Sequence, residues 1–185
     1  MTAQWVDHYL LKFWTSAAIK DGREFLRLAH KMRTPSPKGA PTAEGVRRFD
    51  ELRARHDDME LAKFHFLLVA GKAIRELKRL TPLFPTTEPL FAAAEHLLTE
   101  GKDIRDMNEH SDQYQTGRGK KQSEFFRECR GIAEDLPGDQ RGVADATSLI
   151  INNNGHWIGG RLNVERVIAE LEPILAEAER IPAPD

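Results

Sequence analysis

A chain of 185 residues is long enough for one domain with a real hydrophobic core. An apolar share of 40% beside a charged share of 30% suits helices with solvated outer faces, and a net charge of −2 excludes a general polycation. The single cysteine, Cys129, excludes an internal disulfide and a cysteine-based zinc site.

Any nucleic-acid contact must therefore come from a local cluster of Lys and Arg. No apolar run approaches the ~20 residues of a spanning helix, so no membrane association and a cytoplasmic location are expected.

The first element predicted is a helix from Ala3 to about Met32. Trp5, Tyr9, Phe13 and Ala17 recur every four residues, and Phe25, Leu28 and Ala29 resume the stripe after Gly22. Its aromatic face is expected in the core, with a subunit interface as the alternative. Residues 33–42, with Pro35, Pro37 and Pro41, cannot continue a helix and read as a flexible linker.

Thr42 can cap a second helix whose stripe runs from Val46 through Phe64, Leu67 and Ile74 to Leu80. Unbroken it would span roughly 55 Å, so a break is expected near His56–Glu60, where Asp57 and Glu60 have capping-box spacing. His65, between Phe64 and Phe66, reads by default as a hydrogen-bonded structural histidine. After the Pro82–Pro85 turn, Thr86 or Thr87 can cap a third helix from Pro89 to about Tyr114. Thr116–Lys121 ends it and bunches Arg118, Lys120 and Lys121 on a glycine-rich backbone.

A further helix is expected over Ser123–Ala133, with Phe125, Phe126, Cys129 and Ile132 inward, and a turn at Pro137-Gly138. Thr147–Ile151 and His156–Ile158 are β-prone runs around Asn152–Gly155, which predicts a hairpin within 147–162. Asn163 then caps a last helix to about Arg180, with Val164, Val167, Ile168, Leu171, Ile174 and Leu175 inward and a kink or interruption at Pro173. The fold class expected is all-α, one domain over 1–185, a bundle of about four to six helices with a small C-terminal β-hairpin.

The chemistry concentrates at Ile104–Asp112. On a helical wheel Asp106 faces His110, and Arg105 faces Glu109, while Arg105 and His110 stand roughly 140° apart. His96, Thr99, Asp103, Asp106 and His110 form one polar stripe beside the apolar seam of Leu97, Ile104 and Met107. A histidine can move a proton to or from a ribose 2′-hydroxyl or the leaving oxygen, and an arginine can hold the phosphate. Asp106 could orient His110. The product of such a metal-free reaction would be a cyclic phosphate.

The spacing from Arg to His recurs by chance, since Arg23 and His30 also fall within range, so placement must carry the argument. Arg105-Asp106-Met107-Asn108-Glu109-His110, following the long helix of Phe64–Ala70 and a turn, resembles the signature of HEPN domains (higher eukaryotes and prokaryotes nucleotide-binding) over roughly residues 43–116. The resemblance implies a helical bundle, often a homodimer, in which the Arg and His of two subunits meet in one cleft. Active members are metal-independent ribonucleases of toxin–antitoxin or phage-defence systems, which act on RNA and have a cognate antitoxin or a nucleotidyltransferase-type partner. Others have lost catalysis and bind a partner protein or nucleotide.

By that resemblance Arg105 and His110 would be catalytic and Asp106 supporting, with Arg118, Lys120 and Lys121 contacting the substrate backbone. The acidic neighbours Asp103, Glu109 and Asp112 depart from it and favour the inactive alternative. No cofactor is implied. A metal site on His96, Asp103, Asp106 and His110 is a third reading, without the paired Glu-x-x-His motifs of di-iron bundles.

Overall fold

The computed structural model describes residues 3–32, 43–129 and 142–181. Three long helices make the core. Helix α1 (Ala3–Met32) and helix α2 (Ala43–Leu80) run antiparallel, with Trp14 beside Lys72 and Gly22 beside Phe66. Helix α7 (Val164–Arg180) lies along α1 in the opposite direction, since Ile168 meets Gly22, Arg23 pairs with Glu172 and His8 bonds the Ala178 carbonyl.

Their apolar stripes meet in one cluster that includes Leu11, Phe25, Phe66, Ile74, Leu77, Val167, Leu171 and Ile174. A Cβ at Gly22 would stand 2.8 Å from Phe66 Cε2 and 3.0 Å from Ile168 Cδ1. The missing side chain is what lets the three helices close on one point.

Between α2 and α7 the chain is more broken than its periodicity predicts. Pro85–Thr87 is a 3-10 turn, followed by α3 (Glu88–Ala94), a 3-10 turn over Glu95–Leu98, α4 (Glu100–Glu109) and α5 (Ser111–Gln115). The single helix expected from Pro89 to Tyr114 is thus interrupted at residues 95–99 and at His110. Thr87 does not cap α3. Its hydroxyl is buried and donates to Phe84 O at 2.7 Å.

A one-turn helix α6 (Gln122–Phe125) gives way to strand β1 (Phe126–Glu128), which pairs antiparallel with β2 (Val143–Asp145). The helix expected over Ser123–Ala133 therefore ends at Phe125, and the chain continues as strand through Glu128. Phe125 and Cys129 are buried as expected, while Phe126 is exposed. Ile132 and the Pro137-Gly138 turn lie outside the described residues, as do the 33–42 linker and the Thr42 cap.

The hairpin over 147–162 forms as β3 (Leu149–Asn152) and β4 (Gly155–Ile158), joined with Asn152 opposite Gly155. Gly155 takes the positive φ of 118°, and no described asparagine does. β5 (Leu162–Asn163) adds a third strand, so the β part is a three-stranded sheet plus a two-stranded one rather than a lone hairpin. The chain is mostly helical with this small antiparallel region.

Other expectations are corrected. α2 runs unbroken from Ala43 to Leu80, because Glu60 reaches forward to pair with Lys63 at 2.5 Å instead of capping a new helix. His65 is exposed and contacts the Phe64 ring rather than being a buried hydrogen-bonded group. On α1, Tyr9 and Phe13 are 53% and 48% exposed, stacked on each other outside the core, while Leu11, Ala18 and Phe25 fill it. α7 continues through Pro173, which is exposed. Asn163 caps it as expected, accepting from Arg166 N at 2.8 Å. No helix among the described residues is long and apolar enough to cross a membrane.

Candidate functional site

Helix α4 has a narrow apolar edge. Gly101, Ile104 and Met107, three apart, are buried, which turns Lys102, Asp103, Asp106 and Glu109 to the other side. Asn108 fixes this rotation, since its side-chain amide donates to Ile104 O at 2.7 Å and across to Ala146 O at 2.9 Å. The helix then stops at His110, whose φ of −117° and ψ of 32° leave the α region. Its N–H still donates to Asp106 O at 3.2 Å, and its carbonyl accepts from Gln113 and Tyr114 N–H as α5 begins. The break leaves the His110 imidazole exposed.

That imidazole borders a cavity of about 440 Å³, lined also by Lys102, Asp103, Asp106, Glu109, Gln113, Tyr114, Lys120 and Lys121. The two loop lysines arrive because the Thr116–Lys121 segment folds back over Tyr114. Gly117 turns it with a φ of 76°, and Gly119 lies so close that a Cβ there would be 2.1 Å from the Tyr114 ring. Tyr114 Oη accepts from Lys121 N–H at 3.3 Å, and Gln122 bonds Tyr114 O at 2.8 Å. Tyr114 also stacks on Phe125, with Met107 and Ala146 beneath.

The charges on the wall are partly cancelled. Lys121 Nζ donates to Asp103 Oδ2 at 2.7 Å, and this bond holds the ammonium above its usual value. Arg105 Nη2 lies 2.5 Å from Asp106 Oδ1, and Arg105 Nε 3.6 Å from Glu109 Oε1. Arg105 brings one charge to two carboxylates, so one acidic charge stays uncancelled beside Lys102, Lys120 and His110, whose side chains make no bond or ion pair with a described residue. Two unpaired ammoniums and an imidazole against one uncancelled carboxylate charge leave a wall that suits an oxyanion.

Of the residues singled out from sequence, His110, Asp106, Lys120 and Lys121 come together on this wall. Arg105 does not line it. Its side chain lies on the flank of α4 beside the buried seam, with Nε buried and without a hydrogen bond. Arg118 is exposed and turned to the Thr116 hydroxyl at 3.1 Å, away from the cavity. Asp106 bonds Arg105 rather than orienting His110.

The expected polar stripe is split by the helix breaks. His96 falls in a different cavity, 3.5 Å from Glu170. No cluster of three metal-ligating side chains occurs among the described residues, so the His96–His110 metal reading has no geometric basis. Lys102 and Tyr114 were missed. Lys102 precedes Asp106 by four and Glu109 by seven residues, so the helical repeat itself could have placed it on this face.

No protein-family model matches the chain, and no curated protein and no solved structure is similar to it at a significant level.

Proposed function

We propose that the chain is a metal-independent endoribonuclease of HEPN type, working in a toxin–antitoxin or phage-defence setting. The observation that carries this reading is the exposed His110 imidazole at a helix break, bordering a cavity that also presents the unpaired ammoniums of Lys102 and Lys120. Lys102 and Lys120 would hold the scissile phosphate, and the half-paired Lys121 would add a third positive charge. His110 would take the proton of the 2′-hydroxyl as its oxygen attacks phosphorus. The bond from phosphorus to the 5′-oxygen breaks, that oxygen takes up a proton, and a 2′,3′-cyclic phosphate and a 5′-hydroxyl result. Arg105 enters such a site only from a second copy of the chain, and only by giving up Asp106 and Glu109.

The test is cleavage of RNA by the purified protein in EDTA. His110→Ala should lower the rate by about 10²–10⁴-fold, and Lys120→Ala should weaken RNA binding with a shallower salt dependence. Undiminished cleavage by both variants would remove the assignment.

One observation favours a second reading. Arg105 is tied to two carboxylates and turned off the cavity, which suits a HEPN-like module that binds a partner protein or nucleotide without cutting RNA. Binding of a nucleotide that depends on Lys120, with no cyclic phosphate formed from RNA, would support it.

A further inference from the structure

A second cavity lies on the other side of α4, between its first residue, the hairpin and the start of α7. It encloses about 270 Å³ and is lined by His96, Glu100, Trp157, Arg161, Asn163 and Arg166, among others. Arg161 is its centre. The side chain is carried inward by a turn at Gly159 and Gly160, whose φ values are 60° and 63°. A Cβ at Gly160 would stand 2.4 Å from Cys129 Sγ, so the turn also requires glycine for space.

Arg161 is only 4% exposed, and its bonds are long ones to carbonyls, Nε to Gly159 O and Nη1 to Glu124 O, each 3.4 Å. Nη2 is buried with no hydrogen-bond partner, and so is the indole Nε1 of Trp157 on the same wall. Burial pushes the guanidinium below its usual value, though arginine stays charged.

A buried cation without a hydrogen-bonded carboxylate is costly, and orphaned buried donors are rare. The charges of Glu100, Glu124 and Asp103 favour the guanidinium only from a distance, and none of these carboxylates bonds it. Glu170 is shared by Arg166 at 2.9 Å and His96 at 3.5 Å. Two orphan donors on a wall that sets Arg161 and Arg166 against the one carboxylate of Glu100 suit an oxyanion. The volume falls just under the roughly 300–1,000 Å³ of sites that bury drug-sized ligands, so the occupant is small. A phosphate group meets the charge, and its several acceptor oxygens can take both donors at once.

We propose that this cavity binds the phosphate group of a small molecule, with Arg161 Nη2 and Trp157 Nε1 as the donors. The site is separate from the His110 cavity and does not rest on the ribonuclease reading.

The experiment titrates the full chain with inorganic phosphate and, separately, with adenosine 5′-monophosphate. Calorimetry gives the affinity, and the indole N–H resonance assigned by its loss in Trp157→Phe reports the contact. Binding of either ligand that moves this resonance is expected, tighter for the ester if the site takes an organic phosphate and equal or weaker if it takes the free ion. Arg161→Gln should weaken binding at least about tenfold, and Trp157→Phe roughly threefold or more. Lys120→Ala, in the other cavity, should leave the shift of the Trp157 resonance unchanged at every ligand concentration.

If Arg161→Gln does not fold, Trp157→Phe alone decides. The proposal is overturned if the wild-type chain binds neither ligand at millimolar concentration, or if Trp157→Phe binds as tightly as wild type. A Trp157 shift that is lost with Lys120→Ala instead would assign the phosphate to the His110 cavity and equally overturn it.

Discussion

Lys63 is 1% exposed in the middle of α2, a place where an ammonium is costly unless it is fully partnered. It is held by Glu60 and by the Thr147 carbonyl, 3.1 Å away at the edge of the β region. One side chain thus ties the long helix to the turn before β3. Lys63→Ala should lower stability by about 1–3 kcal/mol in urea denaturation, since it strands the carbonyl and loses the buried methylene stem.

Asp145 works at the same turn. Burial pushes its carboxyl up, but bonds from the Thr147 and Ser148 side chains and backbone outweigh this and hold it below 3.8. A folded-state value depressed in this way adds stability above the unfolded value, and that stability is lost as the pH falls through the lower folded one. The urea midpoint of wild type should therefore exceed that of Asp145→Asn near neutrality, and the gap should close below about pH 3.8. A gap that is constant with pH would mean that the carboxylate charge is not what holds the turn. Arg105 can be judged on the same scale. Its pairs are partly exposed and screened, so Arg105→Ala should cost less than about 1 kcal/mol, and a larger loss of RNA cleavage than of stability would mark it as functional.

At the scale of elements, Gly22 is where α1, α2 and α7 touch. Phe66 and Ile168 are buried around it and cannot retreat, so Gly22→Leu should cost at least about 2 kcal/mol by thermal melting. The apolar stripes of α2 and α7, and the Phe25–Ala29 part of α1, were legible in the sequence, because burial of one helix face repeats every three or four residues whatever the partner. The hairpin was legible for a similar reason, as β-branched runs flank an Asn-Gly turn. The breaks at 95–99 and His110 were not, since no proline or glycine marks them. They arise where α4 must rotate to bury Met107 and let Asn108 reach Ala146, a contact 38 positions away.

The β1 strand was misread because Phe125 and Cys129 are four apart and inward, which fits a helix equally well. The site was half legible. The wheel foretold that Arg105 pairs with Glu109 and points away from His110, but not that Lys120 and Lys121 fold back over Tyr114. The exposure of Tyr9 and Phe13 was hidden, because an aromatic stripe gives no sign of which side the neighbouring helices occupy.

For the molecule as a whole, α7 is the keystone of the core although it comes last. It contributes Val164, Val167, Ile168, Leu171 and Ile174 to the cluster shared with α1 and α2. A chain ending at Asn163 should lose cooperative unfolding altogether, with calorimetry showing no sharp transition. A retained transition would mean that α1 and α2 form an independent hairpin.

The unbroken α2 has its own outcome. From Phe66 to Leu80 it is embedded in the core, yet every described side chain from Arg47 to Asp58 is exposed except the half-buried Leu52. Among its described side chains only Leu52 is shielded, so they add little to backbone bonds that an isolated helix of such length barely sustains in water. Amide protons along α2 should therefore exchange with deuterium in a graded series, slowest at Ile74 and Leu77 and faster turn by turn toward Arg47. One continuous rod would then record, residue by residue, how far the order of the core extends along a helix that has left it.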